Sequence, residues 1–162
     1  MNDGYTSKDE MKSDKLAPLV FVLTALSAMA IGWWTRTSLP ISAKAGKSLS
    51  VVVFFLGMAT FIWSIACLRK AFFGEVAPVT ERLITYGPYR WVRHPLYLSM
   101  VMILLGIGLA LRSSWGIIAI PVLFLPAVIY RARVEEKALS ATFGSSWKDY
   151  VGQTKFLVPF VW

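Results

Sequence analysis

Four stretches of this chain contain no Asp, Glu, Lys, Arg or His: Leu16–Thr35, Ser48–Leu68, Pro95–Leu111 and Ser113–Tyr130, of 20, 21, 17 and 18 residues. A helix needs about 20 apolar residues to cross a hydrocarbon core of about 30 Å. The first two runs meet that length; the last two fall slightly short, and only Arg112 divides them. Helices are expected over strands, because the runs are too long and show no period-two alternation. Composition agrees, with 56% hydrophobic and 16% charged residues, where a soluble domain carries about 25% charge. Cys67 is the only cysteine, so no internal disulfide or cysteine cluster can form, and no metal site is expected. The expected fold is an all-α integral membrane protein with about four transmembrane helices. The last two form a tight hairpin around Arg112, Ser113 and Ser114, and a cytoplasmic C-terminal helix follows.

The first run also has features of a secretory signal peptide, since Lys8, Lys12 and Lys15 precede it and Ala28-Met29-Ala30 resembles a cleavage site. The apolar stretch continues through Ile31, Trp33 and Trp34, and the preceding tail holds four acids. A retained anchor is the better reading. With four crossings, the N-terminal tail, the loop 69–94 and the C-terminal segment share one side and carry thirteen Lys and Arg against four opposite. The positive-inside bias places both termini in the cytoplasm of a multi-pass cell-membrane protein. Attraction to anionic membrane lipids accounts for the net charge of +8, and no nucleic acid need be invoked. The organisation expected is a tail over residues 1–15, two helices over 16–68, and a chemical core over 69–162.

The segment Tyr86-Gly87-Pro88-Tyr89-Arg90-Trp91-Val92-Arg93-His94-Pro95-Leu96-Tyr97 is the most informative. Gly87-Pro88 marks a turn, and Pro95 disfavours a helical conformation at His94. Aromatics, two arginines and the only histidine therefore sit on irregular backbone where a membrane helix begins. Such backbone is tolerated at that depth only when buried in protein or lining a cavity. The same residues also suit a plain interfacial anchor, in which Tyr and Trp form a belt and Arg snorkels to headgroups. A second cluster, Arg131-Ala132-Arg133-Val134-Glu135-Glu136-Lys137, follows the fourth run. If the helix continues, Arg131 and Glu135 lie at i,i+4 on one face, which is also how an ordinary solvated helix end pairs its charges. The two ends of a hairpin meet, so Tyr89, His94, Arg131 and Glu135 are candidates for one pocket.

Gly87–Tyr97, then Arg131, Glu135, Glu136 and Leu139, then Phe143, Gly144, Trp147 and Tyr150 form an ordered set. That set resembles the isoprenylcysteine carboxyl methyltransferases and the related membrane phospholipid methyltransferases over about residues 81–162. The resemblance implies S-adenosyl-L-methionine-dependent methyl transfer to a lipophilic small-molecule or lipid-linked acceptor, with the cofactor held on the cytoplasmic side. It further implies that Tyr89, His94, Pro95 and Tyr97 surround the cofactor, that the backbone of Leu83 and Ile84 lies near its adenine, that Glu135 binds it, and that Arg131 meets the acceptor. Relatives often carry a histidine where this chain has Glu81.

The chemistry is coherent apart from the resemblance. Tyrosine faces and glutamate suit cationic groups, while arginine, histidine and backbone N–H suit a carboxylate. Methyl transfer is an in-line displacement, so alignment and exclusion of water supply most of the catalysis. A carboxylate acceptor is already ionised, whereas an amine or thiol must first lose a proton. Two other classes stay open: a non-catalytic membrane partner or lipid-binding protein, and a membrane reductase using a nicotinamide cofactor, although no Gly-x-Gly-x-x-Gly segment is present. Gly106, Gly108, Pro121 and Pro126 mark either gaps for a lipid tail or simple packing positions, and packing is the preferred reading. The segment Phe156–Trp162 is too short to span and is expected to return to the interface or cover the pocket.

Overall fold

The computed structural model describes residues 6–35, 39–73 and 83–159. In chain order these form α1 (Thr6–Thr35), α2 (Ala43–Phe73), a 3-10 turn (Gly87–Arg90), α3 (Pro95–Ala110), α4 (Ser114–Ala119), a π-helical turn (Ile120–Phe124) and α5 (Leu125–Gln153). Glu81 and Phe160–Trp162 lie outside the described residues. Helix α1 begins at Thr6, well ahead of the apolar run. The fourth apolar run and the expected C-terminal helix prove to be one helical stretch from Ser114 to Gln153. The cause is compositional. From Arg131 to Leu139 the chain is rich in good helix formers, and neither Gly nor Pro appears between Pro126 and Gly144. Gly144, at φ 52 and ψ −114, then kinks the helix and sets off Ser145–Gln153 as its own segment. The π turn follows from Pro121, which has no N–H to give the preceding turn.

Among the described residues, two helices are long and apolar enough to cross a membrane, Ala43–Leu68 and Ser114–Gln153. Helix α3 is also apolar, but its 16 residues cover only about 24 Å at 1.5 Å per residue. Val20, Leu23 and Leu26 on α1 and Phe55, Leu56 and Ile62 on α2 are each about half exposed, an outward surface suited to lipid. The buried core gathers Ala28, Leu104, Ile120, Phe124, Val128 and Ala132 with Phe156 and Leu157 from beyond α5.

Small residues set the helix spacing. A Cβ on Gly106 would lie 2.8–2.9 Å from Phe54 of α2, and one on Gly57 would lie 2.9 Å from Met102 of α3. A Cβ on Gly116 would come within 2.8 Å of Gly32 in α1. These are close helix contacts of the kind small residues permit in membranes, and they fill the space that Gly106 was a candidate to leave open. They also correct the hairpin: α3 packs chiefly along α2, and the α3–α4 pair is tight near its turn, where Gly108 meets Ile117. That turn is built by Arg112 at φ 53, with its N–H bonded to Leu109 O at 3.0 Å. Ser113 Oγ caps α4 by accepting from Gly116 N at 3.1 Å and also meets Thr35 Oγ1 at 3.1 Å. The void left between α1, α3 and α4 here is about 10 Å3, room for about one water and not for a lipid tail.

Candidate active site

At the opposite end of the hairpin the chain is irregular, as the Gly-Pro and His-Pro steps require. Gly87 adopts φ 65, a left-handed conformation that costs other residues about 1–2 kcal/mol. A side chain there would also put Cβ 2.5 Å from Cys67 Sγ. With only hydrogen at that position the turn lies directly on α2. Tyr86 donates from its hydroxyl to Cys67 O at 3.0 Å, and the Trp63 and Trp91 rings meet edge to face at 5.8 Å. Pro95 occupies the first turn of α3, where its missing N–H costs nothing. Leu83 and Ile84 lie half-buried in the irregular segment that leads into the turn.

Two layers of side chains meet where α3 begins beside α5. The outer layer holds Tyr97, Glu135 and Arg131. The Tyr97 hydroxyl donates to Glu135 Oε2 at 3.0 Å, and Arg131 lies beside the same hydroxyl. Glu135 is exposed. Its charge reaches Tyr89, whose phenol is pushed well above its ordinary range, first by burial and then by that carboxylate. Tyr89 is therefore a neutral phenol at any physiological pH. The inner layer holds Arg93, His94 and Glu136. Arg93 Nε donates to Glu136 Oε1 at 2.6 Å, and His94 Nε2 lies 3.3 Å from the same oxygen. His94 is 3% exposed.

The C-terminal return closes this cluster. Trp147 and Tyr150, one helical turn apart, bury the inner face of the segment after Gly144, and the Tyr150 hydroxyl donates to Tyr89 O at 2.7 Å. Beyond Gln153 the chain pairs with the loop: Arg93 N donates to Lys155 O at 2.8 Å and Lys155 N to Trp91 O at 3.0 Å. Phe156 then sets its ring edge to face on His94 at 5.1 Å. The part of Phe156–Trp162 that is described thus covers the histidine. An open cleft of about 530 Å3 remains between the loop and the helix end, bounded by Thr85 and Arg90 on one side and by Ser146, Asp149 and Gln153 on the other.

Of the residues singled out from sequence, Tyr97 meets both Glu135 and Arg131, the Glu135 charge reaches Tyr89, and the His94 ring lies 5.6 Å from that of Tyr97, so the structure brings these five together. The i,i+4 relation of Arg131 and Glu135 holds because the helix runs on. Sequence reasoning missed the pairing of Arg93 with Glu136, the Tyr150–Tyr89 bond and the backbone pairing of Lys155 with the loop. The Trp147-x-x-Tyr150 spacing was a usable signal for a packed helical face; nothing in a sequence pairs residues 93 and 136.

The family model for phospholipid methyltransferases matches residues 46–146. The chain belongs to the phospholipid methyltransferase family. It is also 24% identical over 155 residues to the methanethiol S-methyltransferase of Mycobacterium tuberculosis, covering 86% of this chain and 62% of that protein. The fold resembles that of the eukaryotic intramembrane Ras methyltransferase, isoprenylcysteine carboxyl methyltransferase, with a TM-score of 0.56 and 22% identity over 99% of this chain and 55% of that one. The chain thus spans little more than half the length of these relatives. Family membership and the two apolar helices are together consistent with a membrane protein of this family.

Proposed function

We propose that this family member transfers a methyl group from S-adenosyl-L-methionine to a lipophilic acceptor that presents an anionic nucleophile. The observation carrying this reading is the Tyr97–Glu135–Arg131 cluster: an exposed carboxylate, an aromatic face and a guanidinium, brought together from two helices beside Tyr89 and His94. The donor set fits the cofactor, whose sulfonium and ammonium suit Glu135 and the tyrosine faces. Pro95 holds the start of α3 that presents His94 and Tyr97. The cleft beside Thr85 has room for the nucleoside part near the backbone of Leu83 and Ile84. When bound, the cofactor supplies an electrophilic methyl on sulfur, and the protein's task is to align it and keep water out.

Arg131 can orient a carboxylate or thiolate through its planar fork. An amine acceptor is the poorer match, because an ammonium gives up its proton less readily than a thiol, while Tyr89 stays protonated and Glu136 is engaged with Arg93 and His94. The acceptor class in this reading is an isoprenylcysteine-like carboxylate or a lipophilic thiol, and the positive-inside bias of the sequence supports a site that faces the cytoplasm.

Titration of detergent-solubilised protein with S-adenosylhomocysteine tests the cofactor site directly. One-to-one binding is expected, lost in Glu135→Gln, while Arg131→Ala keeps binding and loses transfer of labelled methyl into membrane extracts. Absence of binding by folded, monodisperse protein would return the chain to the non-catalytic reading.

A further inference from the structure

The lone histidine touches the inner carboxylate rather than the exposed one, and what surrounds that carboxylate decides which ring nitrogen carries the proton. Glu136 Oε1 accepts from Arg93 Nε at 2.6 Å, an ion pair whose side chains are only 11% and 22% exposed. Arg93 is itself fixed. Its NH1 donates to Thr154 O at 2.8 Å and to Val151 O at 3.4 Å, at the C-terminal end of α5, where unsatisfied carbonyls favour a cation. Its backbone N–H is held by Lys155 O. A second oxygen-seeking group, His94 Nε2, points at the same Oε1 from 3.3 Å. An ionised carboxylate only accepts hydrogen bonds, so the nitrogen facing it must be the donor. Phe156 and Tyr97 flank the ring at 5.1 and 5.6 Å and restrict its rotation.

We propose that Arg93 and Glu136 are positioning residues that hold His94 in its Nε2–H tautomer, so that Nδ1 is the ring nitrogen offered to a ligand. In that tautomer Nδ1 carries a lone pair and accepts a hydrogen bond. It therefore suits a donor such as the ammonium of an amino-acid moiety and disfavours a carboxylate, which reverses the pairing drawn from the residue type alone. The ligand half of this inference rests on the proposed cofactor site; the tautomer half does not.

His94 is the only histidine in the chain, so nitrogen-15 labelling of histidine gives one imidazole spin system in the full-length protein. The wild-type spectrum, recorded in detergent at neutral pH, is expected to show protonated Nε2 and bare Nδ1, in about tenfold or greater excess, the ratio a charge-assisted hydrogen bond supports. Glu136→Ala should lose that preference, and Glu136→Gln, which keeps an acceptor oxygen, should restore it. A wild-type ring protonated at Nδ1, alone or together with Nε2, would overturn the proposal without recourse to any variant. So would an unchanged tautomer in folded Glu136→Ala. A titration with S-adenosylhomocysteine on the same samples separates the two readings: binding with the wrong tautomer sinks only this inference, and the expected tautomer without binding sinks the cofactor site and the ligand half with it, while the tautomer half stands.

Discussion

Gly87→Ala is the sharpest test of how the loop is seated. The substitution carries two separable costs. The first is conformational, since φ 65 is a left-handed geometry that costs a non-glycine residue about 1–2 kcal/mol. The second is steric: the new Cβ would lie 2.5 Å from Cys67 Sγ and 3.3 Å from Trp63 Nε1, against about 3.5–4.0 Å for comfortable contact. Relieving that overlap needs the kind of rearrangement that costs overpacked cores about 1–3 kcal/mol. The total loss is then about 2–5 kcal/mol. In a Cys67→Ala background the sulfur is gone, and the conformational cost and the milder Trp63 contact at 3.3 Å remain, so the two substitutions should show a coupling of up to about 1–3 kcal/mol. Reversible unfolding of all four proteins in mixed micelles, followed by tryptophan fluorescence, measures it; Trp63 and Trp91 report on this contact directly. An equal penalty for Gly87→Ala in both backgrounds would refute the steric account. No penalty in either would refute the seating of the loop on α2 altogether.

Tyr150→Phe removes one hydroxyl while keeping the ring packed beside Trp147, and should weaken S-adenosylhomocysteine binding several-fold by freeing Tyr89 O from a bond worth about 1 kcal/mol. The same titration checks it, and unaltered affinity would mean that the Tyr89 backbone is held by other means. Gly106→Val should destabilise the protein by about 1–3 kcal/mol, because its Cβ meets the Phe54 backbone at 2.9 Å and backbone cannot rotate away. Unfolding in the same micelles measures that loss, and a neutral result would show α2 and α3 to be farther apart than described.

Charge-free runs located the helices well because the membrane criterion is a property of a single segment. Pro95 at the start of α3 and the turn at Gly87-Pro88 were legible for the same reason: each acts on its own backbone. The pocket was legible only in outline. That α3 and α5 bring Tyr97 to Glu135 follows from a hairpin, but the partition of Glu135 outward and Glu136 inward depends on the rotation of α5. That rotation is set by packing of Val128 and Ala132, both fully buried. The continuation of the fourth helix past Tyr130 is only conditional in the sequence, because the end of an apolar run marks a change of solvent and not the end of a helix. For Phe156–Trp162 the sequence supports both a return to the interface and a cover over the pocket, since the chain is tied down by backbone bonds of Lys155 to Trp91 and Arg93, and backbone bonds are indifferent to residue type.

The π-helical turn at Ile120–Phe124 bears on how this chain tolerates changes in length. A π turn takes in one more residue than an α turn while the helix beyond it keeps its phase. Removing one residue there converts the turn to ordinary helix and leaves Glu135 and Glu136 aimed as they are. Removing one residue between Leu125 and Tyr130 has no such slack to draw on. It turns everything downstream by about 100°, carrying each carboxylate away from its partner. The wide turn is thus a splice point within the helix, and the stretch that follows is the part of the chain whose residue count is fixed by the site.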